Sequence, residues 1–215
     1  MTAALRALER LAATVPDADL GAWAHRIATP DGAVPLPGTG LRAATYPGLL
    51  RAGERCARAG LGADVVLTLV GLVAGAEHGR SAADLSRAVR AGLAVHAEIE
   101  QRIAEVTRPA GLPTGGVAPA AMCAAVLAGI PPADRPALLD LAGSLMAITP
   151  PDGPAGPWAG HAAAAGWLAV HTFTSGLAGM PDGLGHTLAA VTGASAVDDP
   201  PPGEVPVRAL LERLR

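Results

Sequence analysis

The 215 residues suffice for one domain with a real core, or two small ones, and exclude a disulfide-stapled miniprotein. Half of them are hydrophobic but only 2% are aromatic, a balance that favours closely packed helices over a sheet needing β-branched and aromatic side chains. The net charge of −3, with no basic face, excludes nucleic acid, and the 16% of charged residues, against roughly 25% in typical soluble domains, predicts apolar surface kept for a partner, a lid or a hydrophobic ligand.

All sixteen basic residues are arginine, and lysine and asparagine are absent. A lysine Schiff base, a P-loop lysine and N-linked glycosylation are thereby ruled out. A GC-rich genome is the plain reason for such a bias.

Along the chain, Leu5, Leu8, Leu11 and Val15 form a helical stripe that Pro16 stops, and Asp17 or Asp19 can cap a second helix carrying Leu20, Trp23 and Ile27. The alternation of Arg and Glu with Leu in the first fifteen residues does not match a signal peptide. A loop follows from Thr29 to Gly40. Helices are expected from about Pro47 to Ala59 and from Ala63 to Ala76. Ser81 and Asp84 form an N-terminal capping signal, and behind them Leu85, Val89, Leu93, His96, Ile99, Ile103 and Val106 keep a 3.6-residue period. Pro109 to Gly116 reads as a rigid loop, followed by helices from about Ala118 to Ala128 and Pro132 to Ala147.

Thr149 to Pro157, TPPDGPAGP, is too rich in proline for regular structure; an Ala-rich helix should run from Ala159 to about Ser175, with a shorter one after the MPDG turn. DDPPPGEVP reads as a linker before VRALLERLR. No segment reads as a strand. The longest apolar run, Val65 to Ala76, is too short to span a bilayer, so no membrane is expected and the predicted location is cytoplasmic.

Cys56 and Cys123 stand far apart without metal-type spacing and read as reduced, buried thiols. His161 and His171, ten residues apart, differ by about 80° in direction and about 15 Å along a helix, so they cannot share a metal. His161 lies in AGHAAAAGWLAVH, where small neighbours leave a gap in which it can act as acid, base or donor; the plainer reading is a hydrogen-bonded core histidine. Glu54, Arg55 and Arg58 follow Gly53, and the arginine pair can hold a carboxylate in a bidentate contact, or simply form a solvated helix face. In GLPTGG, Thr114 offers a hydroxyl among backbone donors, a small-anion cradle. His78 reads as surface loop.

Three ordered segments resemble the helical domain of the 2-methylcitrate dehydratase (MmgE/PrpD) family, which also contains cis-aconitate decarboxylase and iminodisuccinate epimerase. Trp158 to Gly193, WAGHAAAAGWLAVHTFTSGLAGMPDGLGHTLAAVTG, resembles the family's "GhAA..G..AA.LA..G.tGp...l.G..G" stretch. SAADLSRAVRAGLAVHAEIEQRI resembles its "s..dLl.Al..GyEv..Ri" helix, and GLPTGGVAPAAMCAAVLAGI the "GfHpTg..ga..aAaaaa.llGl" segment. The departures matter too. The family's "aHa.d.DD" region corresponds to RAGERCARAGLGAD, Arg51 to Asp64, without His or an Asp pair; the His of "HPTG" becomes Leu112; and the lysine before "GHAA" falls near Ala155 in a chain with no lysine. The family's α+β lid would follow Gly193, where this sequence enters a Pro-rich linker.

What the resemblance implies is an all-α, compact multi-helix domain over residues 1–193, without the lid, then a linker at 194–203 and a C-terminal helix at 204–215 that packs back on the domain. Dehydration of the family's kind is not expected, because the groups for proton abstraction and charge stabilisation are missing. The expected function is binding of a small, largely apolar metabolite with a lyase-, isomerase- or cyclase-type step in a biosynthetic pathway, without cofactor or metal. In that reading His161 is acid, base or donor, Thr114 a donor and Trp158 an apolar wall, and in the substrate-binding group Glu54, Arg55 and Arg58 the arginine pair holds a carboxylate or enolate oxygen. The alternative is a non-catalytic subunit pairing with a full-length homologue or another enzyme. A homodimer or heteromer is expected under both.

Overall fold

A computed structural model of the chain describes residues 2–13, 25–36, 39–105, 116–146 and 155–192. The described elements are helix α1 (Thr2–Ala13), strands β1 (Val34–Pro35) and β2 (Arg42–Ala43), and helices α2 (Thr45–Arg58), α3 (Ala63–Glu77), α4 (Ala82–Glu105) and α5 (Val117–Ala128). A 3-10 turn at Pro132–Asp134 then leads into α6 (Arg135–Ser144), followed by α7 (Ala155–Thr174) and α8 (Gly183–Thr192). The described part is thus mostly helical, as the alanine-rich composition predicts.

Helix α4 starts where the sequence says it should. The Ser81 hydroxyl accepts the N–H of Asp84 at 3.2 Å, and Asp84 Oδ2 accepts the backbone N–H of Ser81 at 3.0 Å and its hydroxyl at 2.7 Å. This reciprocal box satisfies donors that a helix N-terminus leaves open. Behind it Leu85, Ala88, Val89, Val95 and Ile99 are buried while Arg87 and Arg90 face water.

Helix α5 lies at the centre. Val117 to Ala125 are buried without a break, and α3, α4, α6 and α7 all pack against the helix, which is what apolar residues all round it require. Small side chains set how closely these helices approach. A Cβ on Gly166 of α7 would overlap that of Ala120 on α5 and lie 2.7 Å from the N of Ala121. In α1 the fully buried face is Ala4, Ala7 and Leu11, with Leu8 packed at its edge, rather than a stripe of leucines alone.

The structure corrects two expectations. Residues 34–35 and 42–43 pair as antiparallel strands, Val34 opposite Ala43 and Pro35 opposite Arg42, within a stretch that carries no strand signal. Backbone bonds flank the pair, Leu36 donating to the Leu41 carbonyl and Thr29 to that of Arg42, each at 2.9 Å, and the Arg42 side chain adds bonds to the carbonyls of Gly32 at 2.6 Å and Ala33 at 2.8 Å. Helix α7 also begins at Ala155, inside the segment expected to be irregular. Pro157 falls in its first turn, where a missing N–H removes no helical hydrogen bond and the fixed φ suits the helix. The expected helix over Leu20 to Ile27 is described only at residues 25–27, and the loop over Pro109 to Gly116, the linker and the C-terminal helix lie mostly or wholly outside the described residues.

Candidate functional site

Helices α2 and α7 meet backbone to backbone. A Cβ on Gly53 would lie 2.9 Å from the carbonyl oxygen of Ala159, and one on Gly160 would overlap the carbonyl oxygen of Leu50 and reach within 3.1 Å of the N of Glu54. Two sequence-predicted residues, Glu54 and His161, therefore flank one helix crossing. Their side chains bond in different directions.

Glu54 is only 2% exposed, and its carboxylate is shared between two arginines of its own helix. Oε1 accepts from Arg58 at 2.7 Å, and Oε2 pairs with Arg51. A buried carboxylate needs such partners to offset its lost hydration. Arg55 is buried and turns to α1, its Nη2 lying 3.5 Å from the carbonyl oxygen of Leu11. The carboxylate that Arg58 holds is thus the chain's own, and Arg51, absent from the sequence-predicted group, completes the cluster. Its signal was available: residues three and four apart face each other on a helix.

His161 is half-buried, and its Nε2 lies 2.9 Å from the carbonyl oxygen of Leu145, the residue capping the C-terminus of α6. A carbonyl only accepts, so Nε2 carries the proton and Nδ1 is the basic nitrogen of the neutral ring. Trp158 lies in the first turns of α7, and Thr114 lies outside the described residues.

A second cluster went unread in the sequence. Glu77, at the C-terminal end of α3, accepts the indole N–H of Trp167 at 2.8 Å and the hydroxyl of Thr45 at 3.3 Å, with Nε2 of His171 at 3.5 Å. The rings of Trp167 and His171 are in contact, tilted by 42° with centroids 4.0 Å apart. Only the spacing of Trp167 and His171, one helical turn, was visible in advance; Glu77 is 90 residues from Trp167. His78, next to Glu77, is exposed as expected.

Both thiols are buried, Cys123 against the Leu67 carbonyl. Burial pushes Cys56 up to about 11, partly offset by the neighbouring Arg55 charge, and Cys123 up to about 12, so neither is a thiolate nucleophile at neutral pH. No group of three or more His, Cys, Asp or Glu among the described residues is placed to hold a metal ion, and no described helix is long and apolar enough to cross a membrane. Comparison with protein-family models, with curated proteins and with solved structures finds no match to this chain.

Proposed function

We propose that this helical domain binds a small, largely apolar metabolite beside the first half of α7 and catalyses a lyase-, isomerase- or cyclase-type step in which Nδ1 of His161 moves a proton. The observation that carries the reading is the hydrogen bond from His161 Nε2 to the Leu145 carbonyl. That bond holds the ring through Nε2–H whether Nδ1 is empty or protonated, so the imidazole need not turn between taking a proton from carbon and returning it. Orientation of this kind supplies part of the barrier reduction without a strong base. The resemblance of Trp158 to Gly193 to the MmgE/PrpD helical domain supports a metabolite with an acidic C–H next to a carbonyl or carboxylate. Thr114 would donate to the developing oxygen and Trp158 would form an apolar wall. Glu54, Arg55 and Arg58 act from behind, Arg58 holding the Glu54 carboxylate within α2 and Arg55 reaching the Leu11 carbonyl of α1.

The test is exchange of carbon-bound protons into D2O, followed by NMR, for a panel of four- to seven-carbon oxo acids, dicarboxylates and cyclic ketones. Wild-type protein is expected to exchange at least one member. His161→Gln keeps a donor toward Leu145 but has no basic nitrogen, and should abolish exchange while keeping the melting temperature; His161→Ala should lose both. Exchange that survives His161→Gln, or a wild type that exchanges nothing, overturns the proposal.

A further inference from the structure

The orientation of His161 depends on a carbonyl just past the end of a helix. Leu145 follows the last residue of α6, and the peptide unit joining it to Met146 is planar and trans, so its C=O and N–H point in opposite directions. The C=O end accepts Nε2–H of His161 at 2.9 Å, and the N–H end donates to the Gly143 carbonyl at 3.2 Å. The aim of the imidazole is therefore set by how that plane is held, and the Gly143 oxygen holds it.

Gly143 is in the last turn of α6, where carbonyls have no partner within the helix. Its oxygen meets a second donor from another element, the Thr187 hydroxyl of α8, at 3.2 Å. A carbonyl oxygen has two lone pairs and can take both bonds. The single hydroxyl proton is shared in a three-centre bond with the Gly183 carbonyl at 2.9 Å, one turn back in α8. Helix α8 comes this close because α6 has no side chain at the contact: a Cβ on Gly143 would lie 2.6 Å from Cα of Leu184, three residues before Thr187 on the same face of α8. The start of α8 is anchored too. Gly179 of the preceding connection lies flat on α6, where a Cβ would overlap the N of Leu141, and the Asp140 carboxylate accepts the N–H groups of Asp182 at 3.1 Å and Leu184 at 3.3 Å.

We infer that Thr187 is a positioning residue for His161, acting through Gly143 and the Leu145–Met146 peptide. The inference deepens the role proposed for His161 and rests on that reading for its effect on turnover alone. Without the hydroxyl, the Gly143 carbonyl keeps only the Met146 bond, the peptide plane can rock, and the ring loses the single aim that lets Nδ1 take and return a proton in place.

The experiment is NMR on the 15N-labelled full chain, reading exchange with water of the His161 Nε2 ring proton and the Met146 amide in wild type, Thr187→Val and Thr187→Ser. Valine keeps the shape and deletes the hydroxyl; serine keeps the hydroxyl. Thr187→Val should speed both exchanges about fivefold, the effect of losing one ordinary hydrogen bond, and leave the amides of α2 and α4 as they are. Thr187→Ser should keep the wild-type rates. For a metabolite whose carbon-bound proton the wild type exchanges, Thr187→Val should lower kcat by a similar factor at unchanged KM. Wild-type rates in Thr187→Val, a Thr187→Ser that behaves like valine, a rise spread equally over α2 and α4, or a wild-type ring proton that already exchanges as in an unfolded peptide overturns the inference. If the wild type exchanges no carbon-bound proton, the activity proposed for His161 falls, and the ring proton and Met146 amide alone decide the role of Thr187.

Discussion

Helices α4 and α8 both begin against a carboxylate that accepts backbone N–H groups, but α4 finds its carboxylate three residues away, at Asp84, and α8 finds its own on another helix, at Asp140, 42 and 44 residues away. The first arrangement is complete within one turn of chain. The second exists only once α6, Gly179 and α8 are packed together. The α7–α8 region repeats this pattern at every level: its helix crossing depends on Gly53 and Gly160, its histidine bonds Leu145 across a helix boundary, and its Trp167 and His171 share a carboxylate with α3. Local chemistry therefore governs α4, and packing governs α7 and α8.

The hardest way to break the packed side is Gly160→Ala. Its added methyl group would overlap the Leu50 carbonyl, which is backbone and cannot rotate away, so α2 and α7 must separate. A loss of about 3 kcal/mol is expected in urea unfolding, at the upper end of overpacking costs. A melting curve like that of the wild type would show that the crossing is looser than its geometry.

The two caps give the next contrast. Asp140→Ala removes the acceptor for two N–H groups and should cost about 1–2 kcal/mol, whereas Ser81→Ala, at an exposed cap, should cost about 0.5–1 kcal/mol. Hydrogen exchange sharpens the comparison. Loss of Asp140 should raise exchange in α6 and α8 together, while loss of Ser81 should raise it only in the first turn of α4.

The smallest effect separates the caps by sign. Hydrogen bonds from Ser81 hold Asp84 below the usual carboxylate range, so its contribution is present above that range and is lost as pH falls through its lowered value. Burial, with a lesser push from the Asp182 charge, raises Asp140 despite its backbone hydrogen bonds. Its native state holds the proton more tightly than the unfolded one, so its contribution is present below the usual range and is lost as pH rises through the elevated value. Melting temperatures between about pH 3 and pH 7 should then respond oppositely. Asp84→Asn flattens the rise of stability with pH, and Asp140→Asn steepens it. Equal slopes in both variants would mean that the two environments do not differ as described.

What could be read in the residues was whatever repeats within a helical turn. The Ser81–Asp84 box, the period through Leu85, Val89 and Ile99, and the helices expected near residues 47–59, 63–76 and 118–128 all follow from interactions spanning three or four positions. Pro157 misled because proline breaks a helix interior but suits a first turn, and which applies depends on where the helix starts. The β1–β2 pair escaped because two residues are too few to show alternation, and among its contacts is Arg42 reaching ten residues back to Gly32. At the candidate site, His161 was legible as a polar residue among small ones, but not its bond to Leu145; Glu54, Arg55 and Arg58 were legible as a group, but not that Arg58 and Arg51 hold Glu54 while Arg55 turns to α1. A sequence by itself determines the interactions whose partners are neighbours along the chain. Which glycines touch, which carboxylate caps α8 and which hydrophobic side chains stay in water are decided by distances between segments far apart in sequence, and those are set only when the helices pack.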